Sequence, residues 1–338
     1  MNNKSFGCMG IGLVVLLILS LVLNFIFIIA GSTSMATSAM GVQMHLPKFE
    51  EGLVAPGKEG SNSKIAVLYL RGIISGMEPG AIGDTMVEDM KLQLAQAVED
   101  EKVKAIVLHI DSPGGEVTAS DTIYNAVRRA RDKKPVVVYM GSLAASGGYY
   151  VACGAKWLVA NETTFTGSIG VIMQSLNYEG LMDKVGVHTL TYKSGKMKDM
   201  LSGSRQPTEE EKAYLQAMIM QTYGKFVGIV AKERNLPEQG LRDGIADGRV
   251  VSGTDALAAK LVDQLGEVED AYAKAKELGK ADGASIVRYE APFKLGRLLR
   301  FLGKSDASQS KIEIDITKAI GPRLEVGKLY FLPTFYAP

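Results

Sequence analysis

Four short runs of apolar, largely β-branched residues, interleaved with helix-patterned stretches, set what this chain can fold into. They are Ile65–Leu70, Val103–Ile110, Pro135–Tyr139 and Trp157–Ala160. Runs that are apolar throughout, rather than on alternate positions, predict strands covered on both faces. Between them lie amphipathic helices. Thr85-x-x-Glu88 opens one as a capping box, with Val87, Met90, Leu94, Ala97 and Val98 on one face. A second runs to about Asp132 with Ala119, Ile123, Val127 and Ala130 inward. Later in the chain Thr208-x-x-Glu211 caps a long helix to about Asn235, striped by Leu215, Met218, Ile219, Thr222, Phe226 and Val230. Further short strands are expected at Thr189–Tyr192 and Asp247–Val251, and helices at Tyr178–Lys184 and Thr254–Leu261. Strand–turn–helix alternation predicts an α/β domain built on a largely parallel sheet.

Ahead of that domain, Cys8 to Ala30 is almost purely apolar, long enough to cross a hydrocarbon core of ~30 Å as a helix. It exceeds the ~7–15 apolar residues of a cleaved signal peptide, so an uncleaved anchor is expected. Lys4 precedes it and no Lys or Arg follows until Lys48. The positive-inside rule then puts the N-terminus in the cytoplasm and the rest of the chain outside, on a cytoplasmic (inner) membrane. The segment from 32 to 64, rich in Ser, Gly, Met and Pro, is read as a tether. The divisions expected are thus 1–31 for the cytoplasmic end and membrane helix, 32–64 for the tether, 65–287 for the catalytic domain and 288–338 for a tail.

Composition narrows the chemistry. A net charge of +1 gives no reason to expect nucleic acid as a partner. The two cysteines, Cys8 and Cys153, cannot make a zinc site, and His45, His109 and His188 are scattered without metal-ligand spacing. His109 falls in a strand pattern, where a satisfied core or edge histidine is expected rather than a base. No phosphate-cradling glycine motif is present, so neither a metal nor a nucleotide cofactor is expected.

Catalysis can sit at Gly141-Ser142-Leu143-Ala144-Ala145-Ser146-Gly147-Gly148-Tyr149-Tyr150. Here a strand turns into a helix at a serine flanked by small residues, which suits a nucleophile approached closely by a substrate backbone. A helix N-cap serine would show the same local sequence. A second glycine turn, Pro113-Gly114-Gly115, also follows a strand, and two backbone N–H groups aimed at one point would make an oxyanion hole. A serine needs a base, and no histidine is placed for it. The lysines of the Lys193–Asp199 loop offer one, since a lysine taken out of water gives up its proton more readily. A solvated basic loop is the competing reading of that cluster.

Taken together, Asp111-Ser112-Pro113-Gly114-Gly115, Ala145–Tyr150, Thr166-Gly167-Ser168-Ile169-Gly170, Lys193–Asp199 and Asp247–Gly253 resemble the successive motifs of the signal peptide peptidase A family, the S49 serine peptidases, in their short form with one catalytic domain. The resemblance spans about Ile65 to Leu278, departing at Lys260, where glycine is usual in the family. It implies a Clp protease/crotonase-like fold, assembly into a homo-oligomer beside the membrane, and hydrolysis of remnant signal peptides through an acyl-enzyme. It also implies Ser146 as nucleophile, Lys198 as general base, Ser168 as the serine that hydrogen-bonds that lysine, and the N–H groups of Gly114 and Gly147 as oxyanion donors. A non-catalytic scaffold of the same fold would not need both Ser146 and Lys198, and an acyl-CoA enzyme would not need the pair at all. A peptidase acting on general membrane-associated proteins is a third alternative.

Two tail features remain. Phe293–Lys304 is basic and amphipathic, suited to an anionic membrane surface or to a neighbouring subunit. Tyr330–Tyr336 is apolar and extended, expected to pack on the body or in a partner's groove.

Overall fold

The computed structural model describes residues 17, 18, 20–22, 49–76, 86–290 and 329–333. The chain divides into two units, Met1–Pro47 and Lys48–Pro338. Of the first, the described residues 17, 18 and 20–22 are helical. Most of the predicted membrane span Cys8–Ala30 lies outside the described residues, and among those described no helix is long and apolar enough to cross a membrane. Thr85 and Phe293–Lys304 also lie outside them.

The second unit begins with β1 (Glu50–Ala55), β2 (Lys64–Arg71), α1 (Met86–Glu99), β3 (Val103–Ser112), β4 (Gly115–Glu116) and α2 (Val117–Arg131). It continues with β5 (Val136–Ala145), α3 (Gly147–Ala152), β6 (Trp157–Ala160), β7 (Phe165–Gly167), α4 (Glu179–Val185) and α5 (Glu209–Arg234). α6 (Glu238–Arg242), β8 (Val250–Ser252), α7 (Gly253–Ala258), β9 (Gln264–Leu265), α8 (Val268–Leu278), β10 (Ser285–Glu290) and β11 (Tyr330–Phe331) complete it. The main sheet has the order β1-β10-β2-β3-β5-β6-β9, parallel from β10 to β9.

The apolar runs are buried on both sheet faces, as their pattern requires. Leu68, Leu70, Leu108, Ile110, Val138 and Met140 face a core shared with α1, α2, α3 and α5. Val67, Val107 and Val137 face the other core, under α8. Alternation of sides along each strand therefore divides one continuous apolar run between two cores. His109 lies on the second face between Tyr69 and Tyr139, with ring centroids at 5.3 and 4.9 Å, and burial lowers its pKa. It is a packed histidine.

Three expectations need correction. Glu50–Ala55 is not tether but an edge strand, antiparallel to β10, with Phe49 buried beside it. β10 likewise carries Arg288–Glu290 past the expected end of the domain at 287. Thr189–Tyr192 forms no strand: Leu190 and Tyr192 are 81% and 94% exposed, with no neighbouring strand to satisfy their backbone. On α5 the predicted stripe is buried only in its second half, at Phe226, Val227, Val230 and Ala231.

Candidate active site

β5 changes partner along its length, and that change makes the site. Val137–Met140 pair with β6, whereas Leu143–Ala145 pair with β7, whose antiparallel neighbour is β8. The last ladder position sets Ala145 beside Gly167, so Ser146 and Ser168 leave adjacent strand ends. Ser146 has φ 53° and ψ −113°, and Ser168 has φ 50°. Left-handed backbone costs a non-glycine residue about 1–3 kcal/mol and persists only where surrounding bonds hold it. Here Ser146 donates its N–H to the Gly167 carbonyl at 2.8 Å and its carbonyl accepts from Tyr150 N–H at 2.8 Å. Ser168 donates its N–H to the Arg249 carbonyl at 2.8 Å.

The Ser146 side chain is 1% exposed, and its hydroxyl has no hydrogen-bond partner among the described residues. A helix-capping serine would bond a helix N–H, and this one does not. The glycines around it are demanded by close approach. A Cβ on Gly147 would stand 2.6 Å from Ser120 Oγ and 3.0 Å from Gly115 N. Gly114, with φ 105°, is also pressed against Gly147, whose nitrogen would lie 2.6 Å from a Gly114 Cβ. The Pro113-Gly114-Gly115 and Ser146-Gly147-Gly148 turns thus meet at one point. The Gly114 N–H is 3.1 Å from Ser112 Oγ, which itself donates to the Gly72 carbonyl at 2.6 Å.

Lys198 is placed differently. It is exposed, in a turn of the segment between α4 and α5, and makes no bond to Ser146 within the protomer. Its surroundings are nevertheless fixed. Asp199 accepts from Lys193 Nζ at 2.7 Å and from Arg205 Nε and Nη2 at 2.9 and 2.7 Å, and these cations hold its carboxyl well below the usual range. Arg205 Nη1 also donates at 2.9 Å to Glu211, whose pKa falls to about 2 chiefly through Arg205. Glu211 completes the predicted capping box with Thr208. The capping box was legible in the sequence; its linkage through Arg205 to Asp199 was not, because charges six residues apart in a turn carry no periodic signal.

Beside Ser146 an aromatic pocket completes the site. Tyr150, pinned by its hydroxyl to Asp121 at 2.7 Å, packs with Phe226 at 4.9 Å and with Tyr124 at 5.4 Å. Tyr149, Tyr150 and Cys153 are buried behind the nucleophile, and burial pushes the Cys153 thiol up to about 12.

A strained, buried serine at a strand-to-helix turn, between two glycine turns, on this sheet, defines a serine peptidase of the Clp protease-like α/β class, and the Clp protease family model matches residues 58–164. The peptidase family S49 model matches residues 128–282. A putative signal peptide peptidase SppA of Enterococcus faecium is 39% identical over 236 residues, covering 68% of this chain and 68% of that protein. A putative protease of Synechocystis is 40% identical over 230 residues, 68% of this chain and 79% of the relative. Protease 4 of Salmonella typhi is 40% identical over 237 residues, 69% of this chain but 37% of that longer protein. The chain belongs to peptidase family S49.

Proposed function

We propose that this chain is a membrane-anchored endopeptidase that cleaves extended apolar peptides, remnant signal peptides among them, with Ser146 as nucleophile and Lys198 as general base. The observation that carries this is the buried Ser146 hydroxyl, unpartnered among the described residues and held in a left-handed backbone between the Gly114 and Gly147 turns. Neutral Lys198 takes the hydroxyl proton, Ser146 attacks the scissile carbonyl, and the Gly147 and Gly114 N–H groups receive the oxyanion. A preorganised donor of this kind is worth about 3 kcal/mol of barrier. Lys198 then protonates the departing amine, and a water that it deprotonates releases the acyl group from Ser146. Ser168 orients the lysine. Full use of the Gly114 donor requires its N–H to leave or share Ser112 Oγ.

Because Lys198 is exposed and unbonded to Ser146 in the protomer, we place the dyad across two copies of the chain. The arm that leads to it exposes Leu176, Leu181, Val185, Val187, Leu190 and Tyr192, an apolar surface of the kind that marks a protein interface. A homo-oligomer in which each copy lends its lysine to a neighbour's serine both covers that surface and supplies the missing base. The apolar Cys8–Ala30 run would tether the assembly to the inner membrane with its active sites outside the cytoplasm.

The test is acylation of the full-length protein in detergent by a serine-reactive probe, with the adduct located by mass. An adduct on Ser146 that Ser146→Ala abolishes and Lys198→Ala slows at least ~100-fold is expected. Labelling elsewhere, or unchanged labelling in both variants, would overturn the assignment.

A further inference from the structure

The cleft beside Ser146 is occupied by the chain's own carboxy-terminal residues. β11 belongs to no part of the main sheet; it pairs with β4, the strand that carries the glycine turn. On that side the Val117 N–H donates to the Leu329 carbonyl at 3.2 Å, and Phe331 lies opposite Gly115 in antiparallel register. On the other side Tyr330 and Ile172 exchange both backbone hydrogen bonds, at 3.0 and 3.1 Å. Main-chain pairing on two edges is how a cleft recognises an extended peptide whatever its sequence, leaving discrimination to side-chain pockets.

The position along that strand is telling. A Cβ on Gly114 would stand 2.1 Å from the Phe331 carbonyl oxygen and 2.6 Å from the Gly147 nitrogen. The Phe331 carbonyl therefore borders the same small space as the two glycine turns. Its ring, fully buried, stacks on Tyr150 at 4.8 Å and meets Phe226 at 4.7 Å. Tyr150 lies on the helix that Ser146 begins, so the pocket's floor and the nucleophile move as one piece.

We infer that β11 lies in the peptide-binding cleft in the register of a substrate, and that the Tyr150–Phe226 pocket selects a large aromatic side chain on the acyl side of the bond to be cleaved. The inference rests on Ser146 as the nucleophile, and it adds the side chain that the enzyme reads. Being tethered, β11 competes with free peptide at an effective concentration on the order of millimolar. Peptides lacking an aromatic residue at that position do not displace it.

The test uses the full chain carrying Ser146→Ala, with and without Phe331→Ala, so that binding is read without turnover. The probe is a fluorescently labelled hexapeptide, Lys-Leu-Tyr-Phe-Leu-Pro, and its analogue with Ala in place of Phe, followed by anisotropy. The Phe peptide is expected to bind the doubly substituted chain at least ~10-fold more tightly than the Ala peptide does. It should also bind that chain more tightly than the chain with Phe331 intact. Equal binding of the two peptides would refute the aromatic pocket, and equal binding to the two chains would refute the competition. Should Phe331→Ala unfold the chain, the wild-type enzyme decides the pocket: its kcat/KM for Phe over Ala peptides either shows the preference or contradicts it. Phe331→Leu, which keeps most of the apolar volume, then decides the competition by lowering KM for aromatic peptides or leaving it unchanged. Failure of the Ser146 assignment would be separate, since it would leave hydrolysis intact in Ser146→Ala.

Discussion

Ser146 gives its backbone N–H to the carbonyl of Gly167 at 2.8 Å, and this bond joins the ends of β5 and β7 where the chain must turn. It fixes a left-handed residue at the start of α3, and sets Ser168 on the neighbouring strand end. The bond lies between backbone groups, so it constrains the nucleophile without using its hydroxyl.

Gly147 has no room for a side chain. In Gly147→Ala the new Cβ would face Ser120 Oγ at 2.6 Å and Gly115 N at 3.0 Å, shifting the N–H proposed for the oxyanion. Displacement on the order of 1 Å costs ~100-fold in rate, so kcat/KM on an apolar peptide should fall at least that far with the circular dichroism unchanged. Adding Ser120→Gly removes the nearest atom and should restore part of the loss.

The Arg205 cluster predicts a pH dependence with a definite sign. Glu211 titrates at about 2 in the folded chain against an ordinary value of 4.5, and Asp199 is depressed as well. Depressed carboxyl groups stabilise the fold above their unfolded pKa values, and that stability disappears as pH falls through the folded ones. Wild type should therefore melt higher than Arg205→Met at pH 7, and the difference should shrink as pH falls from about 4.5 to about 2. A difference that stays constant across that window would assign the effect to packing alone.

Cys153 is fully buried behind Ser146, with its thiol pushed up to about 12 by burial. Alkylation by iodoacetamide at pH 8 should be at least ~100-fold slower in the native protein than in urea, because the thiolate is the reactive form. Intact mass against time reads both rates.

The second half of α5 is pinned to the body through Glu233, which accepts from Tyr124 Oη at 2.8 Å and Arg131 Nη1 at 2.7 Å. Glu233→Leu leaves both donors without their acceptor. Urea unfolding should report a loss of about 1–3 kcal/mol, reduced from the fully buried case because Arg131 keeps some contact with water.

The parallel sheet was legible because its strands are apolar on both faces, a pattern that survives any tertiary detail. Ser146 and the two glycine turns were legible because close approach restricts them to small residues at strand ends. β1 was hidden: Glu50-Glu51-Gly52-Leu53-Val54-Ala55 is an edge strand with most residues exposed, so its composition reads as linker. Thr189–Tyr192 misled in the opposite direction, since β-forming residues make a strand only beside a partner. The role of Phe331 depends on a contact with Tyr150, 181 positions earlier in the chain, and no local pattern reports that distance.

The most direct measurement mixes two inactive proteins. Ser146→Ala and Lys198→Ala, each inert alone, are combined in equal amounts under conditions that let subunits exchange, and peptide hydrolysis is followed. A dyad shared between copies predicts recovery towards roughly a quarter of wild-type activity, the share of randomly formed interfaces with both groups intact. A mixture that exchanges subunits yet stays inert would contradict it.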